Sequence, residues 1–357
     1  MTQADIIIIG GGIAGGSLAA KIAPHAKVIL LEAEDSFGYH ATGRSAAMFE
    51  PFYGNDVIRT LTRASEAEHI AADVLTPRGV VYLAGKDPKT REALAEVENI
   101  AGMQQITPEQ AVEMVPILRL EKISEAVLGT EAQDIDVDKL FQGFLRKARA
   151  AGAELKVKSG VTGLRYDGQW HVATADAEYT APIIVNAAGP WADKIAEMAG
   201  IAPLGIQPFR RSMAILPTPK GHDVSDWPMI LSDGWYAKPD AGKWLVSPCE
   251  TDPMDPMDAW PDDMVLAEGI ARYQEFVTEE VTRIEHSWAG LRSFAPDRTP
   301  VVGFADGVKG FFWLAGQGGY GIETSPAMSD LAADLLRGVT PSLDAGTVTA
   351  LSPERFA

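Results

Sequence analysis

Residues 5–32 confine this chain more tightly than any other stretch. Asp5-Ile6-Ile7-Ile8-Ile9-Gly10 is a short β-branched run of the kind that fills a buried parallel strand. A glycine cluster follows, then a small-residue helix opening at Ile13-Ala14, and then a second strand, Lys27–Glu32. Such a βαβ unit commits the chain to an α/β fold with a parallel sheet. Gly10, Gly12 and Gly15 stand in G-x-G-x-x-G spacing, and each has a mechanical reason. Gly10 permits a tight turn, Gly12 lets backbone approach a pyrophosphate, and Gly15 lets the helix pack close to the strand. The helix start offers free N–H groups and a positive dipole end to that pyrophosphate. Glu32 closes the second strand about 20 residues on, where an acid accepts hydrogen bonds from ribose hydroxyls and disfavours a 2′-phosphate. The unit is expected to hold a dinucleotide.

At 357 residues the chain exceeds the roughly 250–300 that one core supports, so two lobes are expected. The net charge of −18 repels phosphate backbones and anionic lipid, which argues against a nucleic-acid partner. A backbone nest can still bind a phosphate locally against that field. Cys249 is the single cysteine, so an intrachain disulfide is excluded and a reducing compartment is the simplest home. Its expected role is a small filler. No basic segment precedes Ile6–Ile9, which is too short for a signal core or a membrane span, so a soluble cytoplasmic protein is expected.

Residues 62–75 and 90–114 read as helices, and 134–155 as a capped helix entering a strand. Residues 155–189 alternate with period two and turn at Ser159-Gly160, Asp167-Gly168 and Ala175-Asp176. They read as a β-meander leading into a buried strand, Ile183–Asn186. Further strands fill 207–290 around one helix near 262–277, and the Pro/Asp/Met segment 252–263 reads as a solvated connector. The dinucleotide lobe is therefore expected from 1–80, 145–205 and 291–357, Rossmann-like and discontinuous. The remaining 81–144 and 206–290 are expected to form an antiparallel-sheet, α+β substrate lobe.

A second glycine turn, Gly316-Gln317-Gly318-Gly319-Tyr320-Gly321-Ile322, leaves a strand and opens a helix. One long cofactor could reach from the first turn to the second, placing a redox ring where a positive helix end stabilises negative charge. With both turns in view, the chain resembles the D-amino acid oxidase and glycine oxidase superfamily of FAD enzymes. Within it, the motifs are most similar to the bacterial FAD-dependent D-arginine dehydrogenases. The likeness spans the chain: GYHATGRSAA, IVNAAGPW, RRS, DWPM, WYAKPDAG, WAGLRSF and FFWLAGQGGYGI.

The resemblance implies noncovalent FAD. It places Thr42, Gly43, Arg44, Ser45, Ala46 and Ala47 along the pyrophosphate and ring, with Val161, Ala188, Gly189, Gly318, Gly319, Tyr320, Gly321 and Ile322 completing the site. It also implies that Arg211, Arg292, Tyr236 and Tyr53 grip a substrate carboxylate and that the Gly319 carbonyl accepts the amine. A planar guanidinium can hold a carboxylate through two hydrogen bonds and so fix the carbon to be oxidised.

Two departures bear on the substrate. The histidine after SAA in the arginine dehydrogenases is Met48 here, and the glutamate that holds the guanidinium aligns with Val80. Met48, Val80, Met229 and Leu231 imply an apolar side-chain pocket. Glu50 either supplies a substitute anion or faces solvent, and the solvent-facing reading is preferred. The function expected is oxidation of a small, D-configured amino acid, with electrons passed to a quinone, an electron-transfer protein or O2. A secondary-amine or 2-hydroxy-acid oxidation, or a flavin- or NAD-binding regulatory protein, stands as the alternative. Because no attachment residue neighbours the flavin motifs, acid precipitation should release all the flavin into the supernatant. A yellow pellet, or a colourless protein that binds NAD, contradicts this.

Overall fold

The structure, a computed structural model, describes residues 2–356. A six-stranded sheet runs in the order 154–156, 28–31, 6–9, 183–186, 311–315 and 301–304. Its strands are parallel except for the antiparallel edge pair 301–304 and 311–315. The start, middle and end of the chain thus lie side by side, as a mixed α/β fold built from separated segments requires.

The isoleucine run follows from burial on both faces. Ile6 and Ile8 join a core with Leu30, Val185 and Leu314, while Ile7 and Ile9 join another with Ile29, Ile184 and Trp313. Helix Ile13–Ile22 packs on the first face between helices Val137–Ala150 and Ser325–Arg337. The other face carries the meander 161–166, 170–174 and 178–181, closed by Thr2–Gln3 pairing with Tyr179 and Thr180.

The second sheet has nine strands in the order 317–318, 286–294, 207–216, 243–247, 235–240, 229–232, 80–84, 125–129 and 103–106. Side-chain alternation divides its faces. Val81, Leu83, Ile230 and Trp235 pack against Leu266, Ile270 and Tyr273 of helix Asp263–Phe276. Val80, Tyr82, Met229, Leu231 and Tyr236 gather on the opposite side. The two sheets meet where the chain leaves Ala315. Gly316, in the left-handed region at φ 73°, lets Gln317 and Gly318 pair with Phe294 and Ser293 of the second sheet.

Several expectations are corrected. The helix read at 62–75 is Asp56–Ala71, begun by Asn55, whose side chain accepts from Ile58 N–H at 3.0 Å. Residues 90–114 form two short helices, Pro88–Ala95 and Pro108–Met114, with strand Met103–Ile106 between them. Gly102 at φ 97° and the Thr107–Gln110 capping box divide them. Segment 252–263 is a packed strap. Met254 N–H bonds the Pro208 carbonyl at 2.9 Å, and Asp252 pairs with Arg210 at 2.8 Å. The expected lobe boundary at 290/291 falls inside the continuous strand His286–Phe294. Among the described residues no helix is long and apolar enough to cross a membrane.

A Cβ at Gly15 would collide with the Gly10 carbonyl, so the close helix–strand packing needs this glycine. Gly15→Ala should cost about 1–3 kcal/mol of stability, as overpacking does, and reduce retained flavin. Thermal unfolding and flavin content check this; an unchanged midpoint with full flavin would mean that the helix can retreat.

Candidate active site

A cavity of about 890 Å³ lies at the meeting of the two sheets. Its walls come from the first glycine turn, residues 38–42 and 44–48, the second glycine turn and the inner face of the nine-stranded sheet.

At the first turn Gly10 has φ 109°, and a Cβ there would strike the Ala187 carbonyl. Gly12, Ile13 and Ala14 line the cavity, while Gly15 stays behind it as a packing residue. Glu32 accepts hydrogen bonds from Gly11 N–H at 2.8 Å and Glu34 N–H at 2.9 Å, which fixes its carboxylate at the cavity edge. The helix starting at Ile13 has no cap of its own. Thr42 supplies one from a distance, its Oγ1 accepting from Ile13 N–H at 2.9 Å. Gly43 lies outside the wall; its N–H closes a tight turn on the Gly38 carbonyl at 2.7 Å.

Arg44, Ser45, Ala46, Ala47, Val161, Ala188, Gly189, Gly318, Tyr320, Gly321 and Ile322 all line the cavity. The Arg44 guanidinium, however, is committed to Asp258 and to the carbonyls of Ala259 and Ala289, at 2.8 and 3.0 Å. It ties the strap to the loop. Bare glycine backbone, a helix start and small side chains along one continuous cavity fit a flavin dinucleotide.

The clamp residues converge. Strands 207–216 and 286–294 pair with Phe209 opposite Arg292 and Arg211 opposite Gly290. Arg292 Nη2 donates to the Tyr53 hydroxyl at 2.9 Å, and its guanidinium lies 5.5 Å from the Phe294 ring centre. Arg211 donates to the carbonyls of Glu250 and Cys249 at 3.2 and 3.3 Å. Both arginines line the cavity, and among the described residues neither is in a salt bridge, whereas neighbouring Arg210 pairs with Asp252. Burial raises the phenols of Tyr236 and Tyr320, so both remain protonated donors. Gly319 could not carry a side chain, because a Cβ would run into the Arg292 guanidinium. Cys249 also lines the cavity, and burial pushes its thiol up, away from nucleophilic use.

Two expectations for the substrate pocket are overturned. Glu50 does not face solvent; it is 6% exposed and lines the cavity, its carboxyl accepting from the Tyr82 hydroxyl. Val80 is sealed in the apolar cluster with Met229 and Ala132 and takes no part in the cavity wall, which does include Met48, Met229 and Leu231. Sequence reasoning also missed Glu323, which lines the cavity and accepts from Glu50 N–H at 2.9 Å. Its signal was its place directly after the second glycine turn. Burial pushes Glu50 from 4.5 up to about 7, against the pull of the Tyr82 hydrogen bond. Burial also holds Glu323 well above the usual carboxylate range, against the Glu50 N–H and the charge of Arg292.

The family model of FAD dependent oxidoreductases (DAO) matches residues 5–335. The chain belongs to this family. It is an FAD-dependent oxidoreductase of mixed α/β fold. It is 24% identical to the glycine oxidase of Geobacillus kaustophilus, covering 93% of this chain and 92% of that protein. It is 27% identical to the mitochondrial dimethylglycine dehydrogenase of Homo sapiens, covering 99% of this chain but 44% of that protein, so it spans under half of that relative. The solved L-proline dehydrogenase of P. horikoshii shares the fold with a TM-score of 0.85 at 23% identity, over 99% of this chain and 98% of that one.

The raised Glu50 pKa sets a sign for stability. Between pH 4.5 and about 7 the native state holds a proton that the unfolded chain has lost, so this group's contribution falls as pH rises. At 1.36 kcal/mol per pKa unit the loss is roughly 3 kcal/mol. Glu50→Gln should flatten that slope in urea unfolding of the holoprotein, and an identical slope in both proteins would contradict the buried carboxyl.

Proposed function

We propose that the chain oxidises the Cα–N bond of a small amino acid, D-configured in the reading that follows the D-arginine dehydrogenase motifs. The observation that carries it is the pair of cavity arginines, Arg211 and Arg292, which beside the second glycine turn have no carboxylate partner among the described residues. A partly buried guanidinium left unpaired is costly, and an anionic ligand compensates it. An α-carboxylate is the anion that matches the planar fork. FAD, when bound, supplies the two-electron acceptor for the hydride leaving Cα.

The chain's own part is orientation. Arg292 and Arg211 grip the carboxylate, with the Tyr53 and Tyr236 hydroxyls beside them as further hydrogen-bonding groups. The Gly319 carbonyl receives an N–H of the amine, turning its lone pair toward the breaking C–H bond. The amine must arrive neutral, because its lone pair forms the C=N bond as the hydride departs. The imine then leaves and hydrolyses to the 2-oxo acid and ammonia. A second reading, oxidation of an N-methylated glycine, is favoured by the name of the dimethylglycine dehydrogenase relative. The same clamp would serve it.

Truncating one partner of a buried charge-assisted pair costs about 2–5 kcal/mol. Arg292→Met should therefore cut kcat/KM by roughly 30- to 5,000-fold while FAD stays bound. If amines lacking a carboxylate reduce the wild-type flavin as fast as the amino acids do, the clamp is misassigned. Sarcosine outperforming every primary amino acid would favour the second reading.

A further inference from the structure

We infer that Glu50, braced by Tyr82, makes the apolar end of the cavity a recognition site for a cationic side chain, an ammonium or guanidinium, on the amino acid substrate. This rests on the amino acid reading above and deepens it. Glu50 sits in the cavity wall beside Met48, Met229, Leu231 and Leu94, an apolar lining suited to an aliphatic stem. The Tyr82 hydroxyl holds one carboxyl oxygen. Among the described residues the other oxygen has no hydrogen-bond partner and no lysine, arginine or histidine pairs with Glu50, though it is 6% exposed. A charge-bearing group kept so deep without a counter-ion is suited to a ligand that brings one. The cavity then has complementary parts: guanidiniums for a carboxylate and a carboxyl for a cation.

The groups facing Glu50 set its pH behaviour. Tyr82 comes from strand Val80–Ala84, Glu323 from the second glycine turn, and Tyr53 from Glu50's own turn, with Arg292 bonded beyond Tyr53. Arg59, on the helix that follows, also lines the cavity but is tied to Asp56 and to the Gly54 carbonyl. Glu96 contributes an exposed carboxylate to the lining. Burial, with the Glu50 charge adding to it, holds Glu323 toward its protonated form, so Glu50 is the carboxyl that ionises first. Glu50 therefore changes from neutral acid to anion as pH rises through about 7, and attraction for a cationic side chain rises with it.

The test is anaerobic flavin reduction in the holoenzyme by D-lysine and D-arginine against D-norleucine and D-methionine, in wild type and Glu50→Gln. Glutamine keeps an acceptor for Tyr82, and bound FAD and the thermal midpoint serve as fold controls. A charge-assisted bond implies that the cationic substrates lead by about 10- to 150-fold at pH 8 in wild type, and that the lead disappears in the variant. In wild type alone the same ratio should fall between pH 8 and pH 6, because the α-amine titration is common to both substrates and cancels. A lead for the neutral substrates, or a ratio indifferent both to pH and to Glu50→Gln, overturns the inference while leaving the amino acid reading intact. If none of the four reduces the flavin but sarcosine or a 2-hydroxy acid does, the amino acid reading fails and this inference with it.

Discussion

The hydrogen bonds between Gln317–Gly318 and Ser293–Phe294 join the two sheets, and the geometry of the cavity follows from that short ladder. Gly316 permits the crossing, and Gly318 and Gly319 permit the closeness, since side chains there would collide with Phe294 and Arg292. The second glycine turn is thereby held against the strand that carries Arg292. The same strand pairs with Gln207–Leu216, so Arg211 and Arg292 share a rigid two-stranded base. Placing binding groups on strands keeps their positions narrower than a loop would.

Four charge-bearing groups of the cavity are arranged unlike most others on the molecule. Arg210 pairs with Asp252, buried Lys238 with Asp134, and the cavity-lining Arg44 and Arg59 with Asp258 and Asp56. Among the described residues, the cavity groups Arg211, Arg292, Glu50 and Glu323 form no ion pair and bond instead to backbone groups and to the hydroxyls of Tyr53 and Tyr82. A phenol stabilises a charge through a hydrogen bond without neutralising it, so Arg292 and, once ionised, Glu50 stay poised for a ligand of opposite sign, while burial keeps Glu323 toward its protonated form. The buried position raises the cost of leaving these charges unmatched and sharpens selection between charged and uncharged ligands.

Much of this was legible in the residues. The βαβ unit, the strand Ile183–Asn186 and the two glycine turns follow from local chemistry, where a glycine or β-branched run has few alternatives. What escaped depended on contacts distant in sequence. Helices 88–95 and 108–114 merged into one expected helix because the composition between them is largely helical, although Gly102 and Pro108 divide them. The strap 252–263 looks like a solvated loop by composition, yet Arg44 and Arg210 reach it from more than forty residues away. Glu50 was misplaced for the same reason: nothing near it in sequence announces Tyr82 and Glu323, which bury it. Val80 was assigned by alignment alone, and strand alternation puts it on the cavity side but behind the wall.

The claim that unites these observations is that the cavity arginines exist to hold a carboxylate. Titrating the oxidised holoenzyme with a simple 2-oxo acid and with the matching 2-oxo amide, while following the flavin absorbance, tests it most directly. The acid should perturb the spectrum saturably and the amide should not, with the acid's effect abolished in Arg292→Met. Equal perturbation by acid and amide, or an acid response that survives the loss of Arg292, would contradict it.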